Sequence, residues 1–382
     1  MLFERDDSII NHANIKVVGI GGAGGNAIDR MMADGLDGVE FIAVNTDAQA
    51  LEFSHADVKL QIGKQLTNGL GAGAQLHVGT AAAMEDAQTI EAALDGADLV
   101  FITAGMGGGT GTGAASEIAG IARGQGALTV GIVTMPFRFE GTKRAARALQ
   151  GIEWLRKEVD TLIVIENDRL MNLVEKQTTM QDAFRLADST LHGAVRGIAD
   201  LISVHGLINL DFADVRTVMQ GMGEAIMGTG QAKGEEAASI ATEMAINSPL
   251  IDATSIYGAQ GVLVNVTGGP DLSLASVHEA TSLIYHEVGD EANIIFGAII
   301  DPDMKDEIRV TVIATGFGPH KALSLDKEER SLARNMSSAE PVIERRQDET
   351  PEEPQGEPSE ESHEEPGEKV YTPQPAYLRR KL

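Results

Sequence analysis

Six glycines, at positions 105, 107, 108, 109, 111 and 113, alternate with Met106, Thr110 and Thr112 in a segment suited to holding phosphate. The apolar run 98–102 before it reads as a buried strand, and 114–119 after it as the first turns of a helix. Amides at such a helix start have no partner inside the helix, and the helix dipole adds positive potential, so an anion is favoured there. Glycine lets the main chain approach the oxygens closely. A second segment of this kind, Gly21, Gly22, Ala23, Gly24, Gly25 and Asn26, follows the apolar run 15–20 and opens a helical pattern through Met32. Neither is a Walker-type loop, which needs a lysine followed by serine or threonine. No lysine lies between Lys64 and Lys143.

Taken alone, Gly19, Gly21 and Gly24 satisfy a dinucleotide fingerprint, with Asp47 about twenty residues on as its ribose-binding acid. An NAD-dependent oxidoreductase is therefore one reading. It asks for a hydride-transfer constellation in the second half of the chain, and none is found. A second glycine cradle further on suits a nucleotide carrying several phosphates. The chain has a formal net charge of −27, so a polyphosphate held without lysine needs a divalent cation. Mg²⁺ is expected, mainly on phosphate oxygens.

The elements that must position these loops follow from periodicity. Strands are expected near 15–20, 40–45, 98–103, 128–134 and 161–166, with helical patterns between them. That order predicts an α/β domain with a parallel, doubly wound sheet and both glycine loops at carboxyl ends of strands. From 180 to 205, apolar positions at Phe184, Leu186, Ala187, Leu191, Ala194, Val195, Ile198, Leu201 and Ile202 predict one long helix with a buried side. By periodicity alone Phe184 belongs to the core. A helix near 234–247, strands near 261–266, 293–299 and 308–314, and a helix over 274–288 predict a second, α+β domain hung on the long helix.

Composition bounds the class. The 382 residues, 43% of them hydrophobic, suffice for one or two cores. No apolar run reaches membrane-spanning length and no basic-then-apolar leader opens the chain, so a cytoplasmic protein without direct membrane insertion is expected. The absence of cysteine excludes disulfides and thiolate metal sites. The acidic charge argues against a nucleic-acid partner. Residues 340–368 hold 12 acidic and 2 basic residues with five prolines and no aromatic, the composition of a disordered linker. Residues 370–382 bring back Tyr371, Tyr377, Leu378, Arg379, Arg380 and Lys381 with no acid, as in a docking peptide.

The segment from Thr103 to Ala115, with Asn45-Thr46-Asp47-Ala48-Gln49-Ala50-Leu51, Phe137-Arg138-Phe139-Glu140-Gly141 and Asn209-Leu210-Asp211-Phe212-Ala213-Asp214-Val215-Arg216, closely resembles the tubulin/FtsZ family of GTPases in its bacterial, cell-division form. Gly228-Thr229-Gly230 and Arg309 to Phe317 extend the resemblance, which covers nearly all of 14–318 and returns at the C-terminal peptide. The resemblance implies that both glycine loops wrap the phosphates of GTP or GDP. It implies that Glu140 and Arg144 contact the ribose side, that Asn167 and Asp188 read the guanine edge, and that Phe184 lies against the ring. A carboxylate suits guanine, whose ring N–H and exocyclic amine are adjacent donors. It also implies that Asn209, Asp211 and Asp214 meet the GTP of the next subunit in a head-to-tail homopolymer and orient the attacking water there. Hydrolysis is then completed in trans. From the residues alone, Asp211 could equally cap the helix that follows it.

On this resemblance the chain divides into a flexible N-terminus (1–13), a GTP-binding domain (14–179), a connecting helix (180–205), a catalytic-loop and C-terminal domain (206–318), an acidic linker (319–368) and a docking peptide (369–382). The implied role is the bacterial cytokinetic ring at the division site, with membrane-tether and regulatory division proteins bound through 370–382. A non-hydrolysing tubulin-like scaffold is a further alternative, disfavoured by the presence of both Asp211 and Asp214. Departures from the family pattern are Ala74-Gln75-Leu76 after Gly73, where Gly-Asn-Pro is usual; Ser116, His205 and Glu166 in place of prolines; and Pro373-Gln374 in place of Asp-Ile.

Overall fold

The computed structural model describes residues 13–317 except 175–176, 205, 209, 252–255 and 290. Strand β1 (Ile15–Ile20) leads through α1 (Gly21–Ala33) into β2 (Val39–Asn45), α2 (Ala48–Phe53), β3 (Val58–Gln61), α3 (Lys64–Thr67), α4 (Leu76–Glu85) and α5 (Ala87–Leu94). There follow β4 (Leu99–Gly105), α6 (Thr110–Gly124), β5 (Leu128–Met135), α7 (Thr142–Glu158), β6 (Thr161–Glu166), α8 (Asn167–Leu170) and the long helix α9 (Met180–Ser203). The remainder is α10 (Phe212–Met219), β7 (Gly223–Lys233), α11 (Ala237–Ile246), β8 (Gly261–Gly268), α12 (Leu274–Val288), β9 (Asn293–Ile300) and β10 (Glu307–Thr315).

Strands β1 to β6 form the expected parallel, doubly wound α/β sheet in the order β3-β2-β1-β4-β5-β6. Its central strands are apolar on both faces because helices cover both. In β1, Ile15 and Val17 pack with α1 and α9, whereas Val18 and Ile20 pack with α6 and α7. Helix α9 buries the side made by Ala187, Leu191, Ala194, Val195, Ile198 and Leu201, while Leu186 and Ile202 are only partly covered.

The sequence reading has no counterpart for β7, and β7 changes the architecture. Gly223–Ala225 pairs in parallel with Thr161–Ile163 of β6, while Ala225–Lys233 runs antiparallel to β10. The mixed strands of the second half, in the order β7-β10-β8-β9, therefore continue the first sheet into one of ten strands. Gly228 and Gly230 conceal β7 from a hydrophobicity pattern. Both face α11, where an added Cβ would lie 1.9 Å from the Ala245 carbonyl and 2.0 Å from that of Ala241. Here glycine in a strand marks close approach of a helix backbone.

Candidate functional site

Helix α1 starts directly at the carboxyl end of β1 and α6 starts after a four-residue loop at the carboxyl end of β4, and neither start carries a side-chain cap or an acidic residue in its first turn. Their donors are thus left to an external acceptor. Three glycines of the two loops, Gly22, Gly25 and Gly108, have ordinary φ, and a Cβ added to any of them would meet no protein atom within 4 Å. The protein itself does not require glycine there, which is the mark of a surface left bare for a ligand.

The other loop glycines are forced by protein. A Cβ on Gly24 would lie 2.6 Å from the Thr103 carbonyl, on Gly105 2.5 Å from Ala23, on Gly109 2.8 Å from Ala72 and on Gly113 2.1 Å from the Leu76 carbonyl. Gly21 (φ 72°) rests on Gly111, so the two loops are one surface. Met106 is buried, and its amide donates to the Thr134 carbonyl at 2.9 Å. Gly107 has φ 99°, donates to Thr112 Oγ1 at 2.8 Å and accepts from Arg147 Nε at 2.9 Å. Thr112 is thereby a brace inside its own loop. The Thr110 hydroxyl is 2.6 Å from that of Thr46. Sequence reasoning missed Arg147 and Thr46 as loop supports; Thr46 was visible only as part of a motif, and Arg147 carried no local signal.

Of the departures, Ala74 stands at φ 60°, a left-handed conformation that glycine adopts without strain. Asp47 caps α2, accepting from the amides of Gln49 and Ala50, so the acid required by the dinucleotide reading is occupied.

The residues expected at the ribose and base are Glu140, Arg144, Asn167, Phe184 and Asp188, and of these Phe184 and Asp188 line one cleft beside α1. Glu140 ends a single 3-10 turn; its carboxylate accepts the Phe137 amide at 2.9 Å and pairs with Arg144 Nε at 3.1 Å. Arg144, in the first turn of α7, holds Glu140 in place. Asn167 opens α8 after β6 and is 4% exposed, with its side-chain oxygen buried and unpartnered among the described residues. An orphaned acceptor at this depth is open to a donor that the described residues do not supply.

Phe184 is 39% exposed, against the core position that periodicity gives it. It meets Phe137 and Phe139 edge-on at 5.5 and 6.4 Å, leaving part of its surface open to the cleft. Asn26, Phe184 and Asp188 line that cleft together, with a volume of about 940 Å³. Burial pushes the Asp188 carboxyl up to about 6, against the opposing pull of Arg30.

Asp211 and Asp214 are elsewhere. Helix α9 spans 24 residues, about 36 Å at 1.5 Å per residue, and carries the chain from the cleft lined by Phe184 and Asp188 back to the amino ends of the parallel strands. Helix α10 follows there, ending where Gly223 donates to the Asp160 carbonyl just before β6. Asp211 stands at the N-cap of α10 but makes no side-chain capping bond, and both acids are exposed with no ion-pair partner among the described residues. Arg216, the nearest cation in sequence, lies over the Phe212 ring at 5.2 Å. Asn209 lies outside the described residues, as does the peptide 370–382. Among the described residues no three His, Asp or Glu side chains converge to hold a metal, and no helix is long and apolar enough to cross a membrane.

Main-chain phosphate loops without lysine, at the carboxyl ends of a parallel sheet, together with a cleft holding a half-buried carboxylate and an orphaned amide nearby in the chain, define a nucleotide-binding α/β protein. Comparison with known proteins narrows the class. Residues 14–175 match the GTPase domain of the tubulin/FtsZ family, and residues 223–318 match the C-terminal domain of the FtsZ family. An FtsZ structure from M. jannaschii, an empty dimer, is 46% identical with a TM-score of 0.77, over 80% of this chain and 88% of that one. CetZ2 from Haloferax volcanii, a GTPgS-bound protofilament, is 22% identical with a TM-score of 0.70, over 84% of this chain and 98% of that one. It shares the fold. The chain belongs to the tubulin/FtsZ family.

Proposed function

We propose that this protein binds and hydrolyses GTP and assembles head-to-tail into filaments, each active site being completed by the next subunit. The observation that carries the reading is the placement of Asp211 and Asp214, uncapped and exposed, at the end of α9 remote from the phosphate loops. Gly21, Gly22, Ala23, Gly24, Gly25 and Asn26, with Gly105 to Gly113, hold the phosphates, and Glu140 and Arg144 face the ribose. Asn167 and Asp188 take the guanine edge, with Phe184 against the ring. No side chain near the loops offers a base, so Asn209, Asp211 and Asp214 of a neighbouring copy orient the attacking water. Mg²⁺, riding on phosphate oxygens, would neutralise charge developing on the β- and γ-phosphates.

The unbroken end-to-end contact of such copies is heterologous and does not close, which generates a filament. In this reading 14–179 binds nucleotide, 180–205 connects, 206–318 supplies the catalytic loop, and 319–368 tethers a docking peptide at 369–382. The cellular role is the bacterial cytokinetic ring, a cytoplasmic assembly at the division site, joined to the membrane through proteins that bind the terminal peptide. Sedimentation of purified protein with GTP and Mg²⁺, and analysis of the nucleotide it carries when isolated, test this. Filaments and guanine nucleotide are expected. Bound NAD would return the oxidoreductase reading.

A further inference from the structure

The base cleft contains several charged groups, and most of them are already engaged. Asp29 accepts the His55 amide at 2.7 Å and lies 3.7 Å from His55 Nδ1. Asp34 pairs with His192 at 3.1 Å, and Arg185 with Asp182 at 3.3 Å. Among the described residues, two charged cleft groups are left without a hydrogen-bonded or ion-paired partner: Arg30, whose Nε is buried with no acceptor, and Asp188.

Arg30 projects from α1 and Asp188 from α9, two helices packed on each other, so their relation is fixed by the core and not by a loop. A guanidinium remains charged at any pH the protein meets. The carboxylate is a two-hydrogen acceptor for a guanine edge only while ionised, and its burial works against that state.

We propose that Arg30 is a positioning residue for purine recognition: without touching the base, its guanidinium keeps Asp188 ionised and so able to accept from guanine. This rests on the reading of Asp188 as the guanine acceptor. Of the remaining charges facing the cleft, Asp29 lies beside His55, Asp34 beside His192 and Arg185 beside Asp182, so each has its own neighbour rather than Asp188.

The test titrates full-length protein with GDP in steps from pH 5 to 8, with ADP as the control nucleotide, in wild type, Arg30→Gln, Arg30→Lys and His55→Gln. Wild-type affinity falls on the acid side of a midpoint. Arg30→Gln moves that midpoint up by about one pH unit, a loss of about fivefold at pH 6 that nearly vanishes by pH 8. Arg30→Lys restores most of the wild-type profile, and His55→Gln leaves the midpoint unmoved. A midpoint that follows His55, or an Arg30→Gln affinity lower by one factor at every pH, overturns the proposal. Should Arg30→Gln fail to fold, the wild-type midpoint in rising salt decides: it climbs if a nearby cation holds it down, and a constant midpoint overturns the proposal. Equal wild-type affinity for GDP and ADP at pH 8 would instead bring down the guanine reading itself.

Discussion

Gly21 lies so close to Gly111 that a Cβ on Gly21 would stand 2.9 Å from the Gly111 amide nitrogen. Two helix starts, from β1 and from β4, are thereby brought into contact with no side chain between them. Each alone offers a few amides; side by side they form one electropositive floor. The contact distinguishes glycines that let protein pack from those that leave room for phosphate.

That distinction predicts two kinds of glycine variant. Gly22→Ala and Gly108→Ala meet no protein atom within 4 Å, so they should keep the wild-type melting temperature and bind GDP at least about tenfold more weakly, the weight of one or two lost charge-assisted bonds. Gly24→Ala drives a methyl into the Thr103 carbonyl and should lower stability by about 1–3 kcal/mol. Calorimetry and thermal melts on the three variants separate the cases; similar melts for all would contradict the assignment.

Asp211→Ala and Asp214→Ala should leave GDP affinity unchanged, because α9 keeps both acids far from the nucleotide bound by the same chain. Phosphate release should drop by about 100-fold or more, the contribution of a positioned acid–base group. A parallel loss of nucleotide affinity would place these acids in the wrong site.

Turnover should depend on assembly. Specific GTPase activity is expected to rise with protein concentration from near zero in dilute solution, following the onset of light scattering. Constant specific activity down to dilute protein would exclude completion of the site by a neighbour.

Asp188→Asn should stabilise the nucleotide-free protein above pH 6. The carboxyl is held near 6 in the fold against an ordinary value of 3.8, so the folded state binds the proton more tightly and the ionised form costs stability at neutral pH. The cost fades as pH falls from 6 toward 4. A gain of a few degrees in melting temperature at pH 8, absent at pH 4, is expected, with the order reversed by saturating GDP.

Much of this was legible in the sequence. The parallel strands, the long helix and both glycine loops follow from patterns that buried α/β sheets impose locally. Strand β7 was not legible because Gly228 and Gly230 answer to the backbone of α11 packed against them, and glycines leave no apolar alternation to read. Phe184 was misplaced by periodicity because its partners, Phe137 and Phe139, come from a loop that no helical repeat anticipates. The role of Asp211 had two readings in sequence, and the absence of a capping bond removes the local one.

The length of α9 has a consequence for counting. If loops and acids are kept apart by a helix about 36 Å long and meet only across neighbours, a row of n copies holds n nucleotides but n − 1 complete active sites. One terminal subunit always keeps a nucleotide that no copy can attack. The two ends of the row are then chemically unlike, and a filament of identical chains acquires a direction, a protected tip and an age that increases along its body.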